Sequence, residues 1–76
     1  MQNAENQMEM GLTLLGQLDL FTASLYFEDA GEAFLKSEDF SKALEAYTKL
    51  LYCFSMDEKT GESEIAEVQK VINSIK

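Results

Sequence analysis

Apolar residues recur along this chain at the spacing of helix faces. The clearest stripe is Phe40, Ala43, Leu44, Tyr47, Leu50, Leu51 and Phe54, at i, i+3, i+4, i+7, i+10, i+11 and i+14. That is one face of a helix of about four turns. Before it, Phe27, Ala30, Gly31 and Phe34 follow the same rule, and the polar run Ser37-Glu38-Asp39 separates the two patterns. Small residues (Ala30, Gly31, Ala33, Ala43, Ala46) sit beside aromatic ones on both patterns. Two helices need that alternation to approach closely and interdigitate. Residues 24–54 therefore predict a helical hairpin, and the rest of the chain is read outward from it.

Residues 1–4 are expected to fray. Over residues 5–19 a helix is predicted, with Met8, Leu12, Leu15 and Leu18 or Asp19 on one face and Leu14 and Leu18 on a second partial stripe. Gly11 and Gly16 each cost about 1 kcal/mol against Ala inside a helix, so they mark either a close helix contact or a break. The next helix, capped by Asp19 or Thr22, runs to Lys36. It holds Leu20, Phe21, Leu25, Phe27, Phe34 and Leu35, too many apolar groups for one stripe. This predicts a central helix buried on two flanks, with Glu28, Asp29 and Glu32 outward. Ser37 or Asp39 caps the third helix, where Glu45 and Lys49 form an i,i+4 pair in the favourable order. Residues 55–62 predict a flexible linker. Ser63 is expected to cap a last helix to residue 76, with Ile65, Val68, Ile72 and Ile75 on one face, Val71 at its edge and Lys70 and Lys76 toward its end. The expected fold class is all-α, about four helices in a single domain over residues 1–76.

Composition narrows the function. Seventy-six residues make one small domain, and 46 % of them are apolar, including five Phe and three Tyr. Either the core is dense or part of the apolar surface awaits a partner. The net charge is −8, from 14 acids against 6 lysines with no Arg. Nucleic acid is thereby disfavoured as a partner, and so is an anionic membrane surface. A partner with a basic or apolar face is favoured, although the same acids also serve to keep a sticky surface in solution. No apolar run reaches the ~18 residues of a membrane span. The polar N-terminus is unlike a signal peptide, and the single Cys53 permits no internal disulfide. A reducing, cytoplasmic setting is expected.

Chemistry is hard to build from these residues. The chain has no His, Arg or Trp, so Ser-His-Asp and Cys-His arrangements are excluded, as are imidazole or paired-thiolate metal sites. The glycines lack a following Lys-Ser/Thr, and residues 57–62 lack the repeated acids of a calcium loop. Glu28/Glu32 and Glu58/Glu62 read as exposed acids rather than a hydrolytic pair. Cys53, on a mostly apolar helix without basic neighbours, reads as an inert buried thiol. Met8, Met10 and Met56 read as core or chain-end residues before they read as an adaptable binding surface. No enzyme activity, cofactor or metal is expected.

The hairpin resembles a tetratricopeptide repeat, a helix–turn–helix unit of about 34 residues. Over residues 24–57, Phe27, Ala30-Gly31 and Phe34 stand at its large, Leu-Gly and aromatic places. Asp39-Phe40 resembles the Asp-Tyr that opens the second helix. Ala43, Leu44 and Tyr47 match the small, aliphatic and aromatic places that follow. Leu50 replaces a usual Ala, Ser55 the closing Pro and Glu38 the common turn Gly. No second copy shows at that period. The resemblance implies a first helix like the end of a preceding, decayed repeat and a last helix like the cap of such arrays. It further implies protein binding in a groove whose facing places here are Leu25, Glu28, Glu32, Leu35 and Lys36. Repeats that hold chaperone C-termini have Lys and Asn where Glu28 and Glu32 stand, so a cationic or apolar ligand segment is implied instead. In size, acidity and amphipathic helices the chain is also similar to small type III secretion chaperones. The expected function is a non-enzymatic protein-interaction module, a small adaptor, chaperone or assembly subunit. The alternatives are a structural homo-oligomer whose apolar excess is a self-interface, and a regulatory subunit of an enzyme.

Overall fold

The computed structural model describes residues 4–57, 59 and 61–75. Four helices form: α1 (Ala4–Gly16), α2 (Leu20–Lys36), α3 (Phe40–Met56) and α4 (Glu62–Ile75). The all-α class and the four helices are as the periodicity predicts. Each helix packs on its neighbour in sequence, α1 on α2, α2 on α3 and α3 on α4. The extents are 32 × 25 × 16 Å.

The first two junctions are built alike. After α1, Leu18 takes a left-handed φ of 62°, and after α2, Glu38 takes one of 60°. At the first turn the Asp19 N–H donates to the Leu14 carbonyl at 2.9 Å and the Leu18 N–H to Leu15 at 3.0 Å. At the second, Asp39 donates to Phe34 at 2.9 Å and Glu38 to Leu35 at 3.0 Å. This paired closure satisfies the last carbonyls of the preceding helix. The residue that completes it also caps the next helix: Asp19 Oδ1 accepts from the Thr22 N–H and Asp39 Oδ1 from the Lys42 N–H, each at 3.4 Å. One aspartate thus serves two helix ends, and the turn needs three residues.

Across each turn a glycine receives an aromatic ring. A Cβ on Gly11 would lie 2.7 Å from the Phe27 ring, and one on Gly31 would lie 2.8 Å from the Tyr47 ring. Real Cβ atoms essentially never come so close, so glycine here sets the separation of the helices. Ala23, Ala30, Ala43 and Ala46, all with no exposure, continue the same close seams. Leu50 and Cys53 complete the core with Val68 and Ile72 of α4. Burying Phe27 and Leu50 contributes roughly 1.5–3 kcal/mol each. A smaller cluster of Ala30, Phe34, Ala43 and Ala46 is covered by Ala4, Met8, Leu35 and Ile75.

The third junction differs. Asp57 is extended, and its N–H donates to the Cys53 carbonyl while its side chain accepts from the Lys59 N–H at 3.0 Å. Helix α3 thus runs two residues past the expected Phe54, and α4 starts at Glu62, so the predicted linker 55–62 contracts to a short connection. Ser63 does not cap α4: the first carbonyl acceptor is Gly61, and Ser63 lies in the first turn. At the other end Ala4 belongs to α1 and packs on the core, so the frayed segment does not include it. Residues 1–3, Glu58 of the weighed acid pair and Lys76 lie outside the described residues.

Three further expectations change on packing grounds. The stripe on α3 is rotated: Phe40 is 51 % exposed, while Ala46 and Cys53 are fully buried. Helix α2 buries Ala23 and Ser24 in its first turns but leaves the flank of Phe21 bare, at 69 % exposure. Glu45 and Lys49 do not pair. The ion pair on α3 is instead Lys42 to Glu5 of α1, at 2.6 Å.

Gly11→Ala and Gly31→Ala are expected to lower stability by about 1–3 kcal/mol, because a buried ring must move, despite the gain in helix propensity. Gly16→Ala, with nothing within 4 Å of its Cβ, is the control and is expected to be neutral or stabilising. Urea unfolding followed by circular dichroism separates the three. Glu38→Gly relieves the left-handed backbone and is expected to stabilise by about 0.5–1 kcal/mol in the same assay.

Candidate docking groove

Two grooves run between helices of this fold. Between α1 and α3 lies a small one of 280 Å³, lined by Glu5, Met8, Glu9, Leu12, Phe34, Lys42 and Glu45. The Glu5–Lys42 ion pair spans it, and the Lys42 ammonium sits 5.8 Å above the Phe34 ring. This side is bridged. Between α2 and α4 the groove is larger, 860 Å³, and no ion pair among the described residues crosses it.

The α2 wall is apolar. Leu18 is 70 % exposed, Phe21 69 % and Leu25 49 %. Phe21 and Leu25 stand one turn apart on α2, and Leu18 lines the same groove from the preceding turn. Phe54 of α3 also lines the groove, and Val68 joins it from α4. The margins carry carboxylates: Asp19 and Glu28 on one side, Asp57, Glu64 and Glu67 on the other, against the single ammonium of Lys59. The arrangement can hold an apolar segment and attract positive charge. No group of three metal-ligating side chains gathers among the described residues.

Of the five residues marked by resemblance, Leu25 and Glu28 line this groove. Glu32 and Lys36 are exposed further along α2, and Leu35 packs against both core clusters. Leu35→Glu would therefore test folding rather than docking. Leu18, Phe21, Phe54 and the α4 acids were not marked. The signal for the first two was the surplus of apolar residues at the start of α2, which reads equally as a second buried flank.

Glu28 is the acid whose environment tells most. Desolvation raises its pKa above the ordinary 4.5, and repulsion from Glu32 and Asp29 adds to the rise. Burial likewise pushes the Tyr47 phenol up, helped by Glu32 and Glu28. Burial also raises the Cys53 thiol, which keeps it protonated and inert. Glu5 goes the other way, lowered by its hydrogen bond to Lys42 and then by that charge.

These directions give opposite pH signatures. Folding favours the protonated form of Glu28, so its contribution to stability is full below pH 4.5 and is lost as pH rises through the raised folded value. Glu5 contributes above pH 4.5 and loses that contribution as pH falls through its lowered folded value. At about pH 7, Glu28→Gln is expected to raise the melting temperature and Glu5→Gln to lower it, with both differences shrinking toward about pH 3. Melts at the two pH values check the signs.

No helix among the described residues is long and apolar enough to cross a membrane. Comparison of the chain with protein-family models, with curated proteins and with solved structures gave no match.

Proposed function

We propose that this chain is a non-enzymatic protein-interaction module, and that the groove between α2 and α4 receives an apolar, positively charged segment of a partner. An adaptor, a chaperone or an assembly subunit would each work this way. The observation that carries the proposal is the exposure of Leu18, Phe21 and Leu25 along one wall of an open groove. Monomeric proteins rarely leave apolar side chains contiguous and uncovered unless something docks on them. The acidic margins supply the preference for positive charge. Two features also support the tetratricopeptide resemblance: the three-residue turn capped by Asp39, and the fit of Tyr47 on Gly31 beside Ala43.

A second reading has its own observation. Phe40 and Tyr52 are 51 % and 52 % exposed and lie outside the groove. They favour self-association as a structural oligomer, since aromatic side chains dominate interface energetics.

Selection of a random displayed peptide library against the purified chain tests the first reading. The expected result is peptides combining apolar and basic residues, whose capture is lost with Phe21→Ser or Leu25→Glu. Failure to recover groove-dependent binders would refute docking. Sedimentation equilibrium with a dilution series tests the second: a dimer that loses helix on dilution, through Phe40 and Tyr52, would support the oligomer instead.

A further inference from the structure

The helix–turn–helix joining α1 to α2 recurs 20 residues later between α2 and α3, and the copies can be compared place by place. Where the fold requires a residue, they agree. Gly11 answers to Gly31, Leu14 and Leu15 to Phe34 and Leu35, Asp19 to Asp39, Ala23 to Ala43, and Phe27 to Tyr47. Among the groove-lining places of the first copy, the buried Ser24 answers to Leu44, Leu20 to Phe40 and Glu28 to Thr48, whereas three exposed apolar places answer to polar ones. Leu18, Phe21 and Leu25 answer to Glu38, Ser41 and Glu45.

All six side chains are exposed, and both turns carry the same left-handed backbone. One backbone in one degree of exposure thus bears polar groups in one copy and large apolar groups in the other. The second copy is an internal control: the fold does not need Leu, Phe and Leu there. At Leu18 it is disfavoured twice, because left-handed backbone suits glycine and water suits a polar group. The apolar triad is therefore a binding feature rather than a folding one.

Its partner can be read from shape and charge. Phe21 and Leu25, one helical turn apart on α2, and Leu18 in the turn before it present a short apolar edge, along which a helix can lay an apolar face. Glu28, Glu64 and Glu67 stand along the margins. A second copy of this chain carries −8 and is repelled by them, as is an anionic lipid surface.

We infer, building on the docking reading above, that the groove takes a cationic amphipathic helix of a partner protein. The helix sets its apolar face on Leu18, Phe21 and Leu25 and its Lys or Arg flanks toward Glu28, Glu64 and Glu67. The preference for cations follows from the margins, and a helix is the form that sets one apolar face on the triad while its flanks reach acids on both sides.

The test uses the full chain and a labelled synthetic peptide of Leu and Lys, patterned so that leucine fills one helical face, with binding followed by fluorescence anisotropy. A peptide of the same composition with a central Pro is the control for helicity, and a Leu–Glu peptide is the control for charge. The protein variant combines Leu18→Glu, Phe21→Ser and Leu25→Glu, the residues the second copy carries, so it is expected to melt at or above the parent temperature. The Leu–Lys peptide is expected to bind, to gain helix on binding and to weaken with salt. The triple variant is expected to bind it about tenfold or more weakly. Equal binding of the Pro peptide would overturn the helical partner while leaving the docking module in place. Equal binding of the Leu–Glu peptide, unchanged binding by the triple variant, or no binding of the Leu–Lys peptide would overturn the inference outright. A dimer formed by the parent chain but not by the triple variant would assign the triad to a second copy and overturn it too.

Discussion

Two missing side chains let the helices of this protein come together. Phe27 occupies the space a Cβ on Gly11 would take, and Tyr47 does the same at Gly31. Each contact fixes how near one helix lies to the next, and the alanines with no exposure fill the seam at that separation. A chain of 76 residues cannot bury much surface, so close contact must replace bulk. Large rings against absent side chains give dense packing with few residues. The turns depend on the same distance, because a three-residue connection cannot span helices held further apart.

That constraint explains why the caps are economical. Asp19 and Asp39 each close the preceding helix with the backbone N–H and open the next with the carboxylate. The third junction has no such glycine–aromatic contact, and its geometry differs accordingly. Helix α4 is held to α3 through Val68 and Ile72 rather than by a repeated turn. The opening between α2 and α4 exists because the regular pattern stops there.

What could be read from the sequence divides along the same line. Helix periodicity and polar caps are local, so the four helices were legible, and the caps were narrowed to Asp19 or Thr22 and to Ser37 or Asp39. The turns at Leu18 and Glu38 were not, because the glycine that usually announces a left-handed residue is absent from both. Gly11 and Gly16 looked alike, since propensity counts only the local cost. A ring across the turn separates them, and that is a tertiary fact. Phe21 and Phe40 counted as core because periodicity registers apolar residues and not the neighbours they lack. On the groove, resemblance reached Leu25 and Glu28. It carried Glu32, Leu35 and Lys36 too far along α2, because the opposite wall is set by α4 and the irregular connection at Asp57. The 20-residue correspondence lies in the sequence itself, at a shorter period than that of the resembled family.

The two walls of the groove are stabilised differently, and this bears on how it can work. The α2 wall belongs to the repeated hairpins, pinned by Phe27 and Tyr47 on their glycines and by two shared caps. The α4 wall is pinned by an apolar face on α3 alone, after a connection whose described bonds are an Asp57 backbone bond and an Asp57–Lys59 turn. Local opening draws on the elements with fewest buried contacts, so α4 is the wall that yields first. Its acids Glu64 and Glu67 share a margin with Asp57, and Glu28 of α2 stands on the margin opposite. Positive charge placed between the margins is attracted from both sides. In the proposed function the acidity of the margins therefore selects a partner of the right sign, while the apolar triad supplies the contact area.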